Sequence, residues 1–302
     1  MRASLQRIWR VALVECQTAL FSRRMLVSSL LFVAIAGLVM YWTISVFSAM
    51  EREVLSALAL PPSDRPGAVT MTLWKSKPFM NVVAHISGGS LLFEDIKGRH
   101  PIVLAYAMFI FMIVPILTLV VTAPRVADDI RSGLARYWLV RVSRTEWSLG
   151  KYLGEAMMLV VAMLAGGLAA WVVAWYRLPG RDGLVLLPGV LDWTARAWMY
   201  AFSWAGLFAG VSHLTKTGAK ATALSVLAMI GVTAWPTMLS NLAAVDGLLE
   251  WVVHFDVFSP AEVSRLVWRR SPEVLLQGVV HLAALGLFYL SLGAAVFRRR
   301  DV

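Results

Sequence analysis

The sequence is poor in cysteine and in charged residues, and both shortages exclude classes of protein. Its 302 residues include one cysteine, Cys16, which cannot form an internal disulfide or a multi-cysteine metal site. Charged residues make up 15% and hydrophobic residues 59%, whereas a soluble domain of this length needs more polar side chains. The composition therefore predicts a membrane protein. The net charge of +10 does not indicate nucleic-acid binding, because the basic residues cluster between apolar runs.

Motifs for nucleotide binding and for hydrolysis are also missing. The chain has no G-x-x-x-x-G-K-[ST], no G-x-S-x-G, no H-E-x-x-H and no paired C-x-x-C. We therefore predict no catalytic residue, no metal site and no cofactor in this chain. The loop 51–100, between two apolar runs, contains a polar cluster with His85, Glu94, Asp95 and His100. Either a solvated loop or a membrane-embedded enzyme site explains this cluster, and both interpretations stay open.

Six apolar runs are long enough to cross a bilayer as helices. A helix rises about 1.5 Å per residue, so about 20 residues span the hydrocarbon core, where the backbone must satisfy its own hydrogen bonds. The sequence thus predicts an all-α membrane protein with a six-span transmembrane domain over 25–302. The predicted spans are 25–49, 101–123, 152–176, 194–213, 221–243 and 275–297.

Lysine and arginine predict how these spans are oriented. They are densest before the first span, in the second and fourth connections, and after the last span. The positive-inside rule predicts that both termini lie in the cytoplasm. We expect the membrane to be the plasma membrane of a bacterium or archaeon. Within residues 1–24, Leu5, Ile8, Trp9 and Ala12 recur at helical spacing with arginines on other faces. This pattern predicts an amphipathic helix that contacts lipid at the cytoplasmic surface.

The middles of the predicted spans contain almost no ionisable side chains. Ion-coupled carriers usually keep carboxylates near the bilayer midplane, so this absence argues against a secondary carrier. His281, with Gln277 one turn before it, is the one histidine well inside a span. We expect His281 to pack against a neighbouring helix and to form a hydrogen bond with it, while a role in translocation stays open.

The segment 128–151, DDIRSGLARYWLVRVSRTEWSLGK, is the most charge-dense part of the chain. Leu134, Tyr137 and Trp138 at helical spacing predict one short amphipathic helix. Asp128 and Asp129 precede it, where a helix N-terminus favours negative charge. Ser143 and Glu146 have the spacing of a capping box, so we predict that the next helix begins there and continues through Gly150 and Lys151 into the third span. A solvated loop is the alternative.

This segment resembles the first cytoplasmic loop of type-2 ABC transporter permeases. An acidic lead, a glycine, Ser-Arg-x-Glu and Gly-Lys stand in the order typical of that family, at Asp128, Asp129, Gly133, Ser143, Arg144, Glu146, Gly150 and Lys151. The stretches VFSPAEVSRLV at 257–267 and AVFRRRDV at 295–302 are also similar to family patterns. The chain departs from the family at 134–136, where Thr-Leu-Glu is usual, and near 141–142, where a proline is usual. Within the family it is most similar to permeases paired with the nitrous-oxide-reductase maturation ATPase.

The resemblance implies the membrane subunit of an ATP-driven exporter that either exports a substrate or transmits force. Two separate ABC ATPase subunits would bind ATP and magnesium, and a second permease copy or a homologous chain would complete the transporter. This chain would therefore not be an enzyme. The segment 128–151 would be a coupling helix, and the candidate ATPase-coupling residues are Asp128, Asp129, Arg131, Gly133, Arg136, Arg141, Ser143, Arg144, Glu146, Gly150 and Lys151.

Overall fold

The computed structural model describes residues 2–57, 69, 95–178, 182–245 and 254–299, and within these ranges the chain forms helices and no strand. This confirms the all-α prediction for the described residues. In chain order the helices are α1 (Arg2–Leu20), α2 (Arg23–Ala57), α3 (Pro101–Thr122), α4 (Arg125–Ser132), α5 (Leu134–Leu139), α6 (Arg144–Arg177), α7 (Asp182–His213), α8 (Gly218–Val245), α9 (Pro260–Val267) and α10 (Pro272–Arg298).

Five of the described helical segments are long and apolar enough to cross a membrane. They are α2, α3 together with α4, α6, α8 and α10. Helix α7 contains the predicted fourth span, 194–213, and has 32 residues, but it is not among the five. Its first half carries Asp182, Asp192 and Arg196, which lower its hydropathy. Five candidate spans are therefore supported, and the sixth stays a prediction.

Helix α7 lies at the centre of the bundle, where it packs against α10, α6 and α3. Its Trp193, Trp204 and Phe208 are fully buried. By contrast, the apolar window of α8 is only 11% buried, against 61% for that of α3 and α4. Burial of large aromatic side chains is the main stabilising contribution that a helix makes to such a core. The described structure is thus organised around α7, with α8 at its edge.

Helices α7 and α10 approach each other through glycines. A Cβ atom on Gly206 would lie 2.0 Å from the carbonyl oxygen of Gly286, and one on Gly293 would lie 2.1 Å from that of Gly210. Small residues permit such close backbone approach between membrane helices. The crossing therefore requires glycine at these positions.

Polar contacts tie together the end of the bundle opposite the chain termini. The buried Arg196 donates from Nη1 to the carbonyl oxygens of Val267 and Arg269, at 2.7 and 2.8 Å, and from Nε to Asp192 at 2.9 Å. Asp95 accepts from the Arg269 side chain at 3.0 Å. These contacts connect the residues before α3 with α7 and with the turn between α9 and α10.

The predicted outer loop 51–100 is shorter than expected at its start, because α2 continues through Ala57. His85 and Glu94 lie outside the described residues. Asp95 is held by the arginines at 269 and 270, and His100 caps α3 by accepting from the Ile102 amide at 3.4 Å. Among the described residues no group of three or more side chains could hold a metal ion.

His281 does not form the expected hydrogen bond to any described residue. It is half-buried, and Gln277 is exposed. The buried side of α10 contains Gly278, Leu282 and Gly286, which pack against neighbouring helices. Gln277 and His281 lie beside this buried side and not within it. A role for either residue in translocation stays a prediction.

We predict that Gly206→Ala destabilises the protein, whereas Gly231→Ala does not. The new methyl group at position 206 overlaps the α10 backbone, which typically costs about 1–3 kcal/mol. Position 231 has no atom within 4 Å, so alanine there stabilises the helix by roughly 0.5–1 kcal/mol. Thermal unfolding of both variants in the same detergent measures the difference. Equal midpoints would contradict the tight α7–α10 crossing.

Candidate functional site

Both ends of the described chain meet at one end of the bundle, here called the terminal end. Arg7 of α1 contacts Glu146 at the start of α6, with 2.8 Å between Nη2 and Oε1. Arg144 donates from Nη1 to the carbonyl oxygens of Phe297 and Arg298 at the end of α10, at 2.7 and 3.0 Å. The segment 125–151 lies between these contacts, so the candidate coupling residues belong to the terminal end.

The segment contains two short helices where the sequence predicted one. Asp128 and Asp129 precede α5, as predicted, but they do not lie at its N-terminus, because they belong to α4, which begins after Pro124. Gly133 then separates α4 from α5 with φ 79°, a left-handed conformation that favours glycine. Helix α4 was missed because the apolar spacing used for the prediction starts only at Leu134, after that glycine.

The predicted capping box is present at the start of α6. The Ser143 hydroxyl accepts from the Glu146 amide at 3.2 Å, and the Glu146 carboxylate accepts from the Ser143 amide at 2.9 Å. A cap of this kind stabilises a helix by about 1 kcal/mol. The sequence therefore identified the first residue of α6, Arg144, correctly.

Helix α1 packs into a notch on α6 that two glycines form. A Cβ atom on Gly150 would lie 2.5 Å from that of Val11, and one on Gly154 would lie 2.7 Å from the carbonyl oxygen of Ala12. Val11 and Ala12 are buried in this contact. Gly150, predicted as a coupling residue, thus makes room for α1.

A buried ion cluster joins α1, α4 and α6, and it consists of Glu15, Arg125, Asp129 and Lys151. The two carboxylate oxygens of Glu15 accept from Arg125 and from Lys151, and Lys151 also pairs with Asp129. Lys151 and Glu15 are almost fully buried. Opposite charges in such a site interact far more strongly than on the surface, and losing one partner leaves the other charge uncompensated.

Sequence reasoning missed Glu15 and Arg125. Glu15 is the one acidic residue of α1 and follows Val11 and Ala12 on its buried face. An acid on the apolar face of an otherwise basic amphipathic helix was the signal that could have identified it. Its partners are more than 100 residues away in sequence, so no local pattern shows them.

Several other candidate residues also make contacts inside the chain. The Arg7 guanidinium pairs with Glu146 through both Nε and Nη2, and this hydrogen bonding raises the pKa of Arg7. Asp128 accepts from the Gly218 amide at 3.2 Å, which holds α4 against the start of α8. Asp128, Asp129, Glu146 and Lys151 therefore contribute to the packing of the terminal end.

Helix α5 presents the exposed part of the segment, here called the α5 face. It comprises Leu134, Arg136, Tyr137, Val140 and Arg141, all exposed, with Val140 at 87%. The Arg141 guanidinium lies 4.7 Å from the centre of the Tyr137 ring, a distance typical of a cation–π contact. Arg131 on α4 is also exposed. The α5 face therefore combines exposed apolar and cationic side chains.

Helices α4 and α5 together are called the α4–α5 element. Beneath α5, a separate hydrophobic cluster links this element to the ends of α7 and α10. It contains Val126, Ala135, Trp147 and Phe297. His213, at the end of α7, contacts Ser148 of α6 with 2.9 Å between Nε2 and Oγ, and its Nδ1 lies 2.6 Å from the carbonyl oxygen of Ala209. The element is therefore anchored on one side and exposed on the other.

Cys16 is half-buried in α1, and burial raises the pKa of its thiol. A thiol with a raised pKa is a poor nucleophile and a poor metal ligand. Cys16 behaves as a small packing residue.

Long apolar helices with a two-helix element packed across one end indicate a multi-pass membrane protein. A family model described as "ABC-2 family transporter protein" matches residues 9–302. The chain therefore belongs to the ABC-2 transporter family, as the resemblance implied, and this membership implies association with an ABC ATPase. A search of the curated proteins finds no match. The family match does not confirm the more specific similarity to the nitrous-oxide-reductase maturation transporter.

We predict that Gly150→Ala loosens α1 from α6. The added methyl group overlaps Val11 and the Ile8 backbone, so α1 has to move away, and we expect amide hydrogen exchange in residues 8–16 to accelerate roughly tenfold or more. Gly37→Ala is the matched control, because its nearest contact would be an ordinary 3.6 Å. Unchanged exchange in Gly150→Ala would contradict the notch.

Proposed function

We propose that this chain is the permease subunit of an ATP-driven ABC-2 exporter and that it couples a separate ATPase to substrate export or force transmission. The observation that carries the proposal is the two-sided α4–α5 element. Its α5 face exposes Tyr137, Arg136 and Arg141, while its other side is joined to α1 and α6 through the buried ion cluster. An element of this kind can receive a partner and pass on its movement.

The proposed topology has six spans, with α7 as the fourth. Burial inside a membrane bundle requires that ionisable groups be paired, and Arg196 and Asp192 of α7 pair with each other. The density of basic residues supports a cytoplasmic location for the terminal end, where ATP is available. The membrane would be the plasma membrane of a bacterium or archaeon, with α1 along its inner surface.

The partners follow from the family. Two ATPase subunits would carry ATP and magnesium, which this chain has no P-loop to bind. A second permease copy or a homologous chain would form the other half of the transporter. Poor burial of the apolar window of α8, at 11%, supports this arrangement, because the exposed side of α8 needs lipid or protein to cover it.

In the proposed mechanism, closure of the ATPase dimer pushes the α5 face. The α5 face and Arg131 contact the ATPase, and guanidinium groups suit an acidic groove. Glu146, Arg144 and Lys151, all in α6, instead connect that helix to α1, α10 and α4. This proposal divides the candidate ATPase-coupling residues into a group that contacts the ATPase and a group that connects the helices.

The alternative function, a scaffold or enzyme acting through the loop 51–100, has no described contact in its favour. Asp95 and His100 are engaged in structural hydrogen bonds.

We predict that Arg136→Glu combined with Arg141→Glu weakens ATPase association by roughly tenfold or more, because two attractive charges become repulsive in the contact. The measurement is co-purification of the P-loop ATPase in mild detergent, quantified per permease. Arg52→Glu, exposed at the opposite end, is the control with the same charge change. Full association in the double variant would contradict the α5 face as the docking surface.

A second double variant, Arg144→Ala with Glu146→Ala, tests transmission. It removes the contacts to α10 and α1 but leaves the α5 face intact. We expect the ATPase to bind and hydrolyse ATP while transport falls, because two of the contacts that pass the movement to α1 and α10 are lost. Parallel assays of ATP hydrolysis and transport in proteoliposomes measure the coupling ratio. An unchanged ratio would remove these two residues from the mechanism.

A further inference from the structure

Glu155 is a buried carboxylate that none of the functions above uses. It lies in α6, one helical turn after Lys151, and its exposed fraction is 0%. Neither of its carboxylate oxygens has a hydrogen-bond donor among the described residues. A buried polar group without a partner is rare in native proteins and requires a specific explanation.

The charged groups around Glu155 do not balance if all of them are ionised. Glu15 faces it from α1, Arg125 and Asp129 from α4, and Lys151 from α6. Tyr152 of α6 also faces it as a neutral phenol. Together with Glu155 this makes three carboxyl groups and two cations. Glu15 takes both cations and Asp129 shares Lys151, so no cation remains for Glu155.

An ionised carboxylate in this position would lose its hydration and gain no partner. The desolvation of an isolated buried charge is so costly that the side chain normally takes up a proton and becomes neutral. A protonated Glu155 brings the charge of the five groups to zero. It also keeps both cations on Glu15 and Asp129, as observed.

We propose that Glu155 binds a proton when α1 is seated on α6, and that this proton is released when Glu15 leaves Lys151. Lys151 and Glu155 stand at positions i and i+4 of one helix, where side chains of opposite charge pair. Lys151 would therefore exchange Glu15 for Glu155 as α1 departs. The proposal concerns contacts within this chain and does not rest on the assignment of an ATPase partner.

The first test is infrared spectroscopy of the full-length protein in lipid nanodiscs at pH 7. A protonated carboxyl group has a C=O stretching band separate from that of a carboxylate. We expect Glu155→Gln to lose the band of one carboxyl group relative to wild type. The exposed Glu53→Gln, with the same chemical change, should lose none. An identical carboxyl band in wild type and Glu155→Gln would overturn the proposal, because Glu155 would then be ionised.

The second test changes the balance of the cluster. Glu15→Gln leaves two carboxyl groups for two cations, so we expect the Glu155 band to disappear as Lys151 pairs with Glu155. Lys151→Gln leaves three carboxyl groups for one cation, so the band should grow by one carboxyl group. Opposite responses of the two variants cannot come from general unfolding, which would ionise every carboxyl group at pH 7. A band that stays constant in both would overturn the exchange.

The third test uses the pH dependence of the thermal unfolding midpoint, Tm. Glu155 in the unfolded chain loses its proton above about pH 4.3, whereas the folded protein keeps it. The folded state then binds more protons, so wild-type stability falls as pH rises. We expect the Tm of Glu155→Gln to equal that of wild type near pH 4 and to exceed it increasingly towards pH 8. A Tm difference independent of pH would contradict proton binding.

Discussion

Glu15 divides its two carboxylate oxygens between Arg125 of α4 and Lys151 of α6, and the arrangement of the terminal end follows from these contacts. Because Lys151 also pairs with Asp129, the three helices share one buried group of charges. Removing one member of such a group leaves an uncompensated charge, which typically costs about 3–5 kcal/mol. The helices therefore separate only when the whole cluster rearranges.

The glycines give this ionic contact its geometry. Gly150 and Gly154 bring the backbone of α1 close enough for Glu15 to reach between α4 and α6. At the centre of the bundle, Gly206 and Gly286 hold α7 and α10 equally close. Close-packed contacts of this kind move as units, since they deform little before they separate. In the proposed mechanism, such contacts pass a push on the α5 face to α1 and α6.

Features with local causes could be predicted from the sequence. The apolar runs identified the candidate spans because lipid demands continuous helices, and Ser143 and Glu146 identified the start of α6 because a capping box needs only residues three apart. The division of 125–139 into two helices was missed, since it depends on one left-handed glycine, Gly133. The sixth span stays open because a hydropathy average counts the charges of α7 but not the contacts that Arg196 makes with Asp192 and with backbone carbonyls.

By itself, the sequence determined that this is a helical membrane protein of the ABC-2 family with a charged element between its second and third apolar runs. Only the tertiary structure decided which of those charges point outward. Arg136 and Arg141 are exposed, whereas Lys151 is buried with Glu15 and beside the half-buried Asp129 and Arg125. The physical reason is distance along the chain: Glu15 and Lys151 are 136 residues apart, so only the packing of α1 on α6 could bring them together.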